Sequence, residues 1–167
     1  MQHLNKDIKV TKDFLLKNEF DNIFRLASSS DFSWFYQPEH NPNAKDGFFF
    51  SHCVYNQDRV NSDHYDRIMG PLARRIKYNC LARAFVNFLT RSDTPRRAIF
   101  HRDFDDERMT TGILYLNETN GYTEFETGEK IKSIPNMYVE FPTRLKHRGV
   151  SQTDKDGRII INLNYYK

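Results

Sequence analysis

The residue pattern predicts a mainly β fold with flanking helices, a sandwich or barrel, and three observations carry that prediction. After about Cys80 the chain divides into short runs of β-favouring residues separated by turn residues at regular spacing, the pattern of packed or closed antiparallel sheets. Before that point, two segments repeat their apolar residues at three- and four-residue steps, the period of a helix with one buried face. No internal repeat, low-complexity tract or linker separates the two parts, and 167 residues can bury a core of their own. One domain over residues 1–167 is therefore expected, with 1–80 as helical support and 81–167 as the β core.

Taken in order, the first helix carries Leu16, Phe20, Ile23, Phe24 and Ala27 on one face, with Thr11 as its N-cap and Ser28-Ser29-Ser30 as its end. The second follows the capping residues Asn61, Ser62 and Asp63 and aligns Tyr65, Ile68, Met69, Leu72 and Ile76. Gly70-Pro71 is expected to kink or split it, because proline has no N–H and its ring crowds the preceding turn. Ser33–Gln37 and Phe48–Tyr55 read as extended. Strands are then expected at Leu81–Leu89, Ala98–Asp103, Thr111–Leu116, Thr123–Phe125, Lys130–Ser133, Met137–Phe141 and Arg158–Tyr166. Asn120-Gly121 is the favoured pair for a two-residue hairpin turn, and Thr127-Gly128-Glu129 supplies another tight turn.

Composition narrows the classes. A net charge of +3 is far from the dense basic stripe that by itself argues for nucleic acid, so charge leaves the partner open. No apolar run approaches the roughly 20 residues that span a bilayer, and the first twenty residues contain no signal-like apolar stretch. A cytoplasmic protein without membrane contact is expected, with Cys53 and Cys80 as buried free thiols. His52 reads as structural, and His40 and His64 as solvent-facing. Trp34 and Phe35 are expected to pack on the first helix. The basic pairs Arg74-Arg75 and Arg96-Arg97 read either as solvated faces or, near a pocket mouth, as polymer contacts.

The chemistry concentrates late in the chain. His101 and Asp103 have one residue between them at a predicted strand end, so both side chains project from one face. A third ligand would complete two imidazoles and one carboxylate, the facial set that holds non-haem iron(II) and leaves positions open. His147, after the Met137–Phe141 strand and Pro142, is the candidate. In the last strand Arg158, Ile160, Asn162 and Asn164 share one face, while Ile159, Ile161, Leu163 and Tyr165 share the other. The polar face either meets water or looks into a barrel, where Arg158 becomes a fork of donors suited to a carboxylate.

From Leu81 to Lys167 the sequence resembles the iron(II) and 2-oxoglutarate-dependent oxygenases, especially prolyl-hydroxylase-like members and the short versions of bacteriophage genomes. The resemblance rests on His101-Arg102-Asp103-Phe104, Thr111-Gly112-Ile113-Leu114-Tyr115-Leu116-Asn117, Asn120-Gly121-Tyr122-Thr123-Glu124-Phe125, Pro142 with His147-Arg148-Gly149, and Arg158 opening Ile159-Ile160-Ile161-Asn162-Leu163-Asn164-Tyr165. It implies a double-stranded β-helix, or jelly-roll barrel, with residues 81–167 as its catalytic core and 1–80 on the substrate side. It implies iron held by His101, Asp103 and His147 as the catalytic centre. Arg158 would grip the distal carboxylate of 2-oxoglutarate, Tyr115 would assist there, and Asn162 would line that pocket, with Asn87 a looser match. The cofactors implied are Fe(II), 2-oxoglutarate and O₂, with ascorbate as a supporting reductant.

The expected activity is a dioxygenase hydroxylating a C–H bond of a peptidyl or free proline-like substrate, releasing succinate and CO₂. The alternatives are a nucleobase-oxidising demethylase and a catalytically silent ligand-binding barrel. Two departures bear on specificity: the first eighty residues match only in outline, and the Arg158 strand is followed by no C-terminal helix of the kind some protein hydroxylases carry.

Overall fold

The computed structural model describes residues 5–38 and 47–167. Its elements are β1 (Lys9–Thr11), α1 (Lys17–Ala27), β2 (Phe35–Gln37), β3 (Phe49–Asn56), β4 (Arg59–Val60), α2 (Tyr65–Arg75), β5 (Cys80–Thr90), β6 (Met109–Tyr115), β7 (Thr119–Phe125), β8 (Lys130–Ser133), β9 (Met137–Pro142), β10 (His147–Val150) and β11 (Gly157–Tyr166). One antiparallel sheet runs β1-β9-β6-β11-β5-β3-β2 with β4 on β3, and a second runs β10-β7-β8. This is the expected double-stranded β-helix. The first eighty residues are more than helical support, since β1 to β4 all join the larger sheet.

Strict alternation along β11 explains the layering. Ile159, Ile161, Leu163 and Tyr165 are buried in one apolar cluster with Phe20, Ile23 and Leu26 of α1 and Ile68, Met69 and Leu72 of α2. Each such side chain contributes about 1.5–3 kcal/mol by leaving water. Ile160 belongs to a second cluster with Ile113, Tyr115, Val139 and Phe141 of the larger sheet and Phe125 and Ile131 of the smaller one. The second cluster fills the barrel, and the polar residues of the same β11 face lie beside it. No helix among the described residues is long and apolar enough to cross a membrane.

Several local expectations are corrected. Thr11 is no helix cap; it ends β1, where Val10 and Thr11 pair with Val139 and Tyr138 as β-branched residues suit an edge strand. Helix α1 instead starts at Lys17, with the Leu16 N–H donating to Glu19 Oε2 at 3.2 Å. Helix α2 runs unbroken through Pro71; the lost backbone bond is offset by the burial of Ile68, Met69 and Leu72 beneath it. Asn120-Gly121 lies inside β7 at a register shift and makes no hairpin turn. Asn120 instead ties the β10–β11 connection, donating from its backbone to Asp154 and from Nδ2 to Thr153 Oγ1 at 2.8 Å. The turn is made beyond Phe125, where Gly128 takes a φ of 101°.

Candidate metal centre and its pocket

The register of β11 arranges one side of the site. Asn164 stands opposite Thr111 on β6 and opposite Arg83 on β5, so three polar side chains form a row on one face. The Asp103 carboxylate sits on that row. Its Oδ2 accepts from Asn164 Nδ2 at 3.0 Å and from Thr111 Oγ1 at 3.2 Å, while Oδ1 lies 3.1 Å from Arg83 Nη2. Burial alone would push this carboxyl up, but the neighbouring His147, Arg83 and Asn164 outweigh it and hold the group below its ordinary value. Asp103 is therefore an ionised, oriented carboxylate at neutral pH.

The expected strand Ala98–Asp103 forms only one isolated bridge, His101 to His147, with a further bridge from Arg97 to Val150 just before it. The histidine bridge matters most, because each histidine donates its N–H to the other's carbonyl at 3.0 Å and the two rings come to 4.7 Å between centroids. His101 Nδ1 bonds the Ile99 carbonyl at 3.1 Å. A carbonyl only accepts, so in the neutral ring Nδ1 carries the proton and Nε2 keeps its lone pair; Nε2 lies 3.8 Å from Asp103 Oδ1. His147 is buried with its ring 4.9 Å from Phe141, and its Nδ1 has no hydrogen-bond partner. Burial pushes it down to about 4 against the opposing pull of Asp103, so it is a neutral donor at pH 7. One ligand atom from each of His101, Asp103 and His147 lies within 4.8 Å of the others, the one such group of His, Cys, Asp and Glu among the described residues.

Beside this group lies an inner pocket of about 140 Å³, lined in part by His147, Thr123, Ser151, Asn162 and Arg158. Arg158 is 1% exposed. Its Nη1 donates to the carbonyls of Tyr122 at 3.1 Å and Val150 at 3.0 Å, while Nε is buried without a partner. No carboxylate pairs with it among the described residues. Burial pushes its guanidinium below its ordinary value. Removing an unpaired cation from water costs on the order of several kcal/mol, a cost that an ion pair with an anion in the pocket relieves. Gly121 makes room for it, since a Cβ there would stand 2.9 Å from Arg158 Nη1.

Asn162 and Asn87 line both the inner pocket and an outer cleft of about 500 Å³ that also meets Gln37, Phe49, Arg83 and Phe85. Asn162 Oδ1 is buried without a partner. Tyr115 is placed one layer behind: its hydroxyl donates to Thr123 Oγ1 at 2.7 Å, and it is Thr123 that lines the pocket. The structure thus brings together every residue singled out from the sequence, Tyr115 through Thr123. It adds the Arg83–Thr111–Asn164 cradle and Arg96, which lines the inner pocket.

Elsewhere, His52 is structural as expected, bonding the Ser33 carbonyl at 2.8 Å and Ser62 Oγ at 2.6 Å. His64 is half-buried, and His40 lies outside the described residues. Both cysteines are free, but neither is buried as expected: Cys80 is exposed and Cys53 half-buried. Trp34 packs on the core as expected, whereas Phe35 is 58% exposed on the edge strand β2.

Solved structures of similar shape carry a common description. An oxidoreductase of the 2OG-Fe(II) oxygenase family from Burkholderia pseudomallei superposes with a TM-score of 0.73 at 9% identity, covering 95% of this chain and 85% of that one. A prolyl hydroxylase from Trichoplax adhaerens, in complex with a hypoxia inducible factor oxygen degradation domain peptide fragment, gives 0.65 at 17% identity, covering 97% and 84%. This chain has the fold of the 2OG-Fe(II) oxygenases. A prolyl-4-hydroxylase from Pseudomonas putida sharing that fold matches with 0.59 at 15% identity, covering 96% and 93%. No protein-family model matches the sequence, and comparison with characterised proteins finds no match. At such identities the likeness concerns the 2OG-Fe(II) oxygenase fold, and the chemistry rests on the geometry of the site.

Proposed function

We propose that this protein is an iron(II)- and 2-oxoglutarate-dependent dioxygenase that hydroxylates a C–H bond. The observation that carries the reading is the junction of two features: a His–Asp–His group within 4.8 Å and, in the adjoining pocket, a buried guanidinium with no carboxylate partner among the described residues. The donor set fits iron(II), since two imidazoles and one carboxylate with ligand atoms within 4.8 Å of one another are the ligand types that ion takes. When bound, iron(II) and 2-oxoglutarate supply the O₂-dependent oxidation, with succinate and CO₂ as co-products.

The chain's own residues then hold and orient. His101, Asp103 and His147 hold the metal, and Arg83, Thr111 and Asn164 fix the carboxylate of Asp103 as hydrogen-bond and charge partners. Arg158 binds the distal carboxylate of 2-oxoglutarate, with Asn162 along the same wall and Tyr115 orienting Thr123. Phe125 and Phe141 keep water from the His147 side. The outer cleft, with Phe49, Phe85 and Ile99 among amide side chains, receives the primary substrate.

For that substrate we favour a peptidyl or free proline-like group. Beside Arg102 and the Arg83–Asp103 pair, the apolar side chains of Phe49, Phe85 and Ile99 and the amides of Gln37, Asn87 and Asn162 suit a partly polar ligand such as a prolyl group, and a neighbour of the same fold is a prolyl hydroxylase bound to a peptide fragment. Succinate release measured with proline peptides, free proline and methylated oligonucleotides at two ionic strengths tests the choice. Stimulation by a proline compound, coupled to its gain of one oxygen and weakly dependent on salt, is the expected result. Stimulation by the oligonucleotide alone, lost at high salt as phosphate contacts are screened, would replace the substrate and leave the iron and co-substrate reading in place.

A further inference from the structure

The inner pocket contains a second guanidinium. Arg96 lines it together with Arg158, and its backbone is clamped in place. The Arg96 N–H donates to Ser151 Oγ at 2.8 Å, and the Arg96 carbonyl accepts from the Ser151 N–H at 2.9 Å. The side chain crosses the backbone at Gly47, where a Cβ would come within 2.3 Å of Nη1 and φ is +81°. A residue without Cβ is what that approach and that conformation require.

Arg96 is poorly satisfied where it lies. Its Nε is buried without a partner, Nη2 reaches the Arg91 carbonyl only at 3.5 Å, and no carboxylate pairs with it among the described residues. Two cations thus border a cavity of about 140 Å³ that presents no neutralising side chain among the described residues. Their lost hydration is relieved by an anion in the cavity.

We propose that Arg96 is a second grip on the co-substrate, so that the distal carboxylate of 2-oxoglutarate is bound between Arg158 and Arg96; this rests on the co-substrate reading above. Arg158 forms the buried floor, and Arg96, anchored through Ser151 and Gly47, forms the wall at the start of β3. The pair favours a dicarboxylate over an oxo monoacid more strongly than one cation does, and a neutral replacement of Arg96 weakens the anion without touching the metal ligands.

Calorimetric titration separates the possibilities, with glutarate added to the metal-free protein and 2-oxoglutarate to the zinc-loaded protein. Glutarate has both carboxylates and no oxo group, so it reads the cations without the metal. Arg96→Gln is expected to weaken both ligands about tenfold, the loss of one charge-assisted contact, with Arg96→Lys losing less and zinc content unchanged. Gly47→Ala, which displaces the guanidinium and leaves its charge, is expected to weaken both as well and serves if Arg96→Gln fails to fold. Wild-type affinity in Arg96→Gln or, should that variant not fold, in Gly47→Ala, while Arg158→Met is weakened, overturns the second grip. Wild-type affinity in Arg158→Met also overturns it, by removing the co-substrate reading on which it rests.

Discussion

His147→Ala is expected to lose at least about a hundredfold in iron(II) affinity and all 2-oxoglutarate-dependent turnover. Loss of a group that merely orients a ligand costs roughly 10–100-fold, and loss of the ligand itself lies at or beyond the upper end. His147 is the most demanding of the three positions, because its ring is buried against Phe141 and already neutral. His101→Ala and Asp103→Ala are expected to lose iron to a similar degree. They differ in stability: His101 is half-exposed, whereas Asp103→Ala strands the donors of Arg83, Thr111 and Asn164 that now converge on its carboxylate. Elemental analysis after dialysis with iron(II) under anaerobic conditions, beside a thermal melt, reads both effects. Full metal occupancy in any one variant would remove that residue from the ligand set.

Arg158→Met is expected to weaken 2-oxoglutarate by about ten- to a hundredfold while iron content stays near that of the wild type. The range follows from one charge-assisted contact of about 1.5–3 kcal/mol. The buried guanidinium also satisfies the Tyr122 and Val150 carbonyls, so some stability is lost with it, and the melting transition must accompany the binding measurement. Tyr115→Phe is expected to have a smaller effect, at most about fivefold, because its one neutral hydrogen bond goes to Thr123 and acts on the pocket indirectly. Undiminished 2-oxoglutarate binding in Arg158→Met would place the carboxylate grip elsewhere.

Much of the site was legible because it follows from alternation. The polar face of β11 gave Arg158 and Asn162, and the same period set Ile159, Ile161 and Leu163 against the helices. What escaped was register. Arg83 belongs to no motif in the sequence, and only its pairing opposite Asn164, itself opposite Thr111, sets it beside Asp103. A hint existed: Arg83, Phe85 and Asn87 share one parity, so a polar strand face that also carries Phe85 was available to be read as a pocket wall.

Local motifs misled where tertiary pairing overrode them. Asn120-Gly121 has the chemistry of a hairpin turn, yet the need for space beside Arg158 and the bonds from Asn120 to the 153–154 loop put it inside β7. The Ala98–Asp103 segment has the composition of a strand but keeps just one bridge, at His101. His101 and Asp103 converge through a loop held to β10, so their proximity was anticipated while its structural cause was different. Arg96 was visible as half of a basic pair; its place in the pocket depends on Ser151 and Gly47, which are distant in sequence.

The most direct test of the account is the dependence of 2-oxoglutarate affinity on metal, measured anaerobically by titration of the metal-free protein, the iron(II)-loaded protein and the iron-treated His147→Ala variant. One iron per chain and markedly tighter 2-oxoglutarate binding in the loaded protein, with the variant indistinguishable from the metal-free form, is the predicted result. A chain that takes up no iron, or that binds 2-oxoglutarate equally with and without it, would contradict a shared metal and co-substrate site at His101, Asp103, His147 and Arg158.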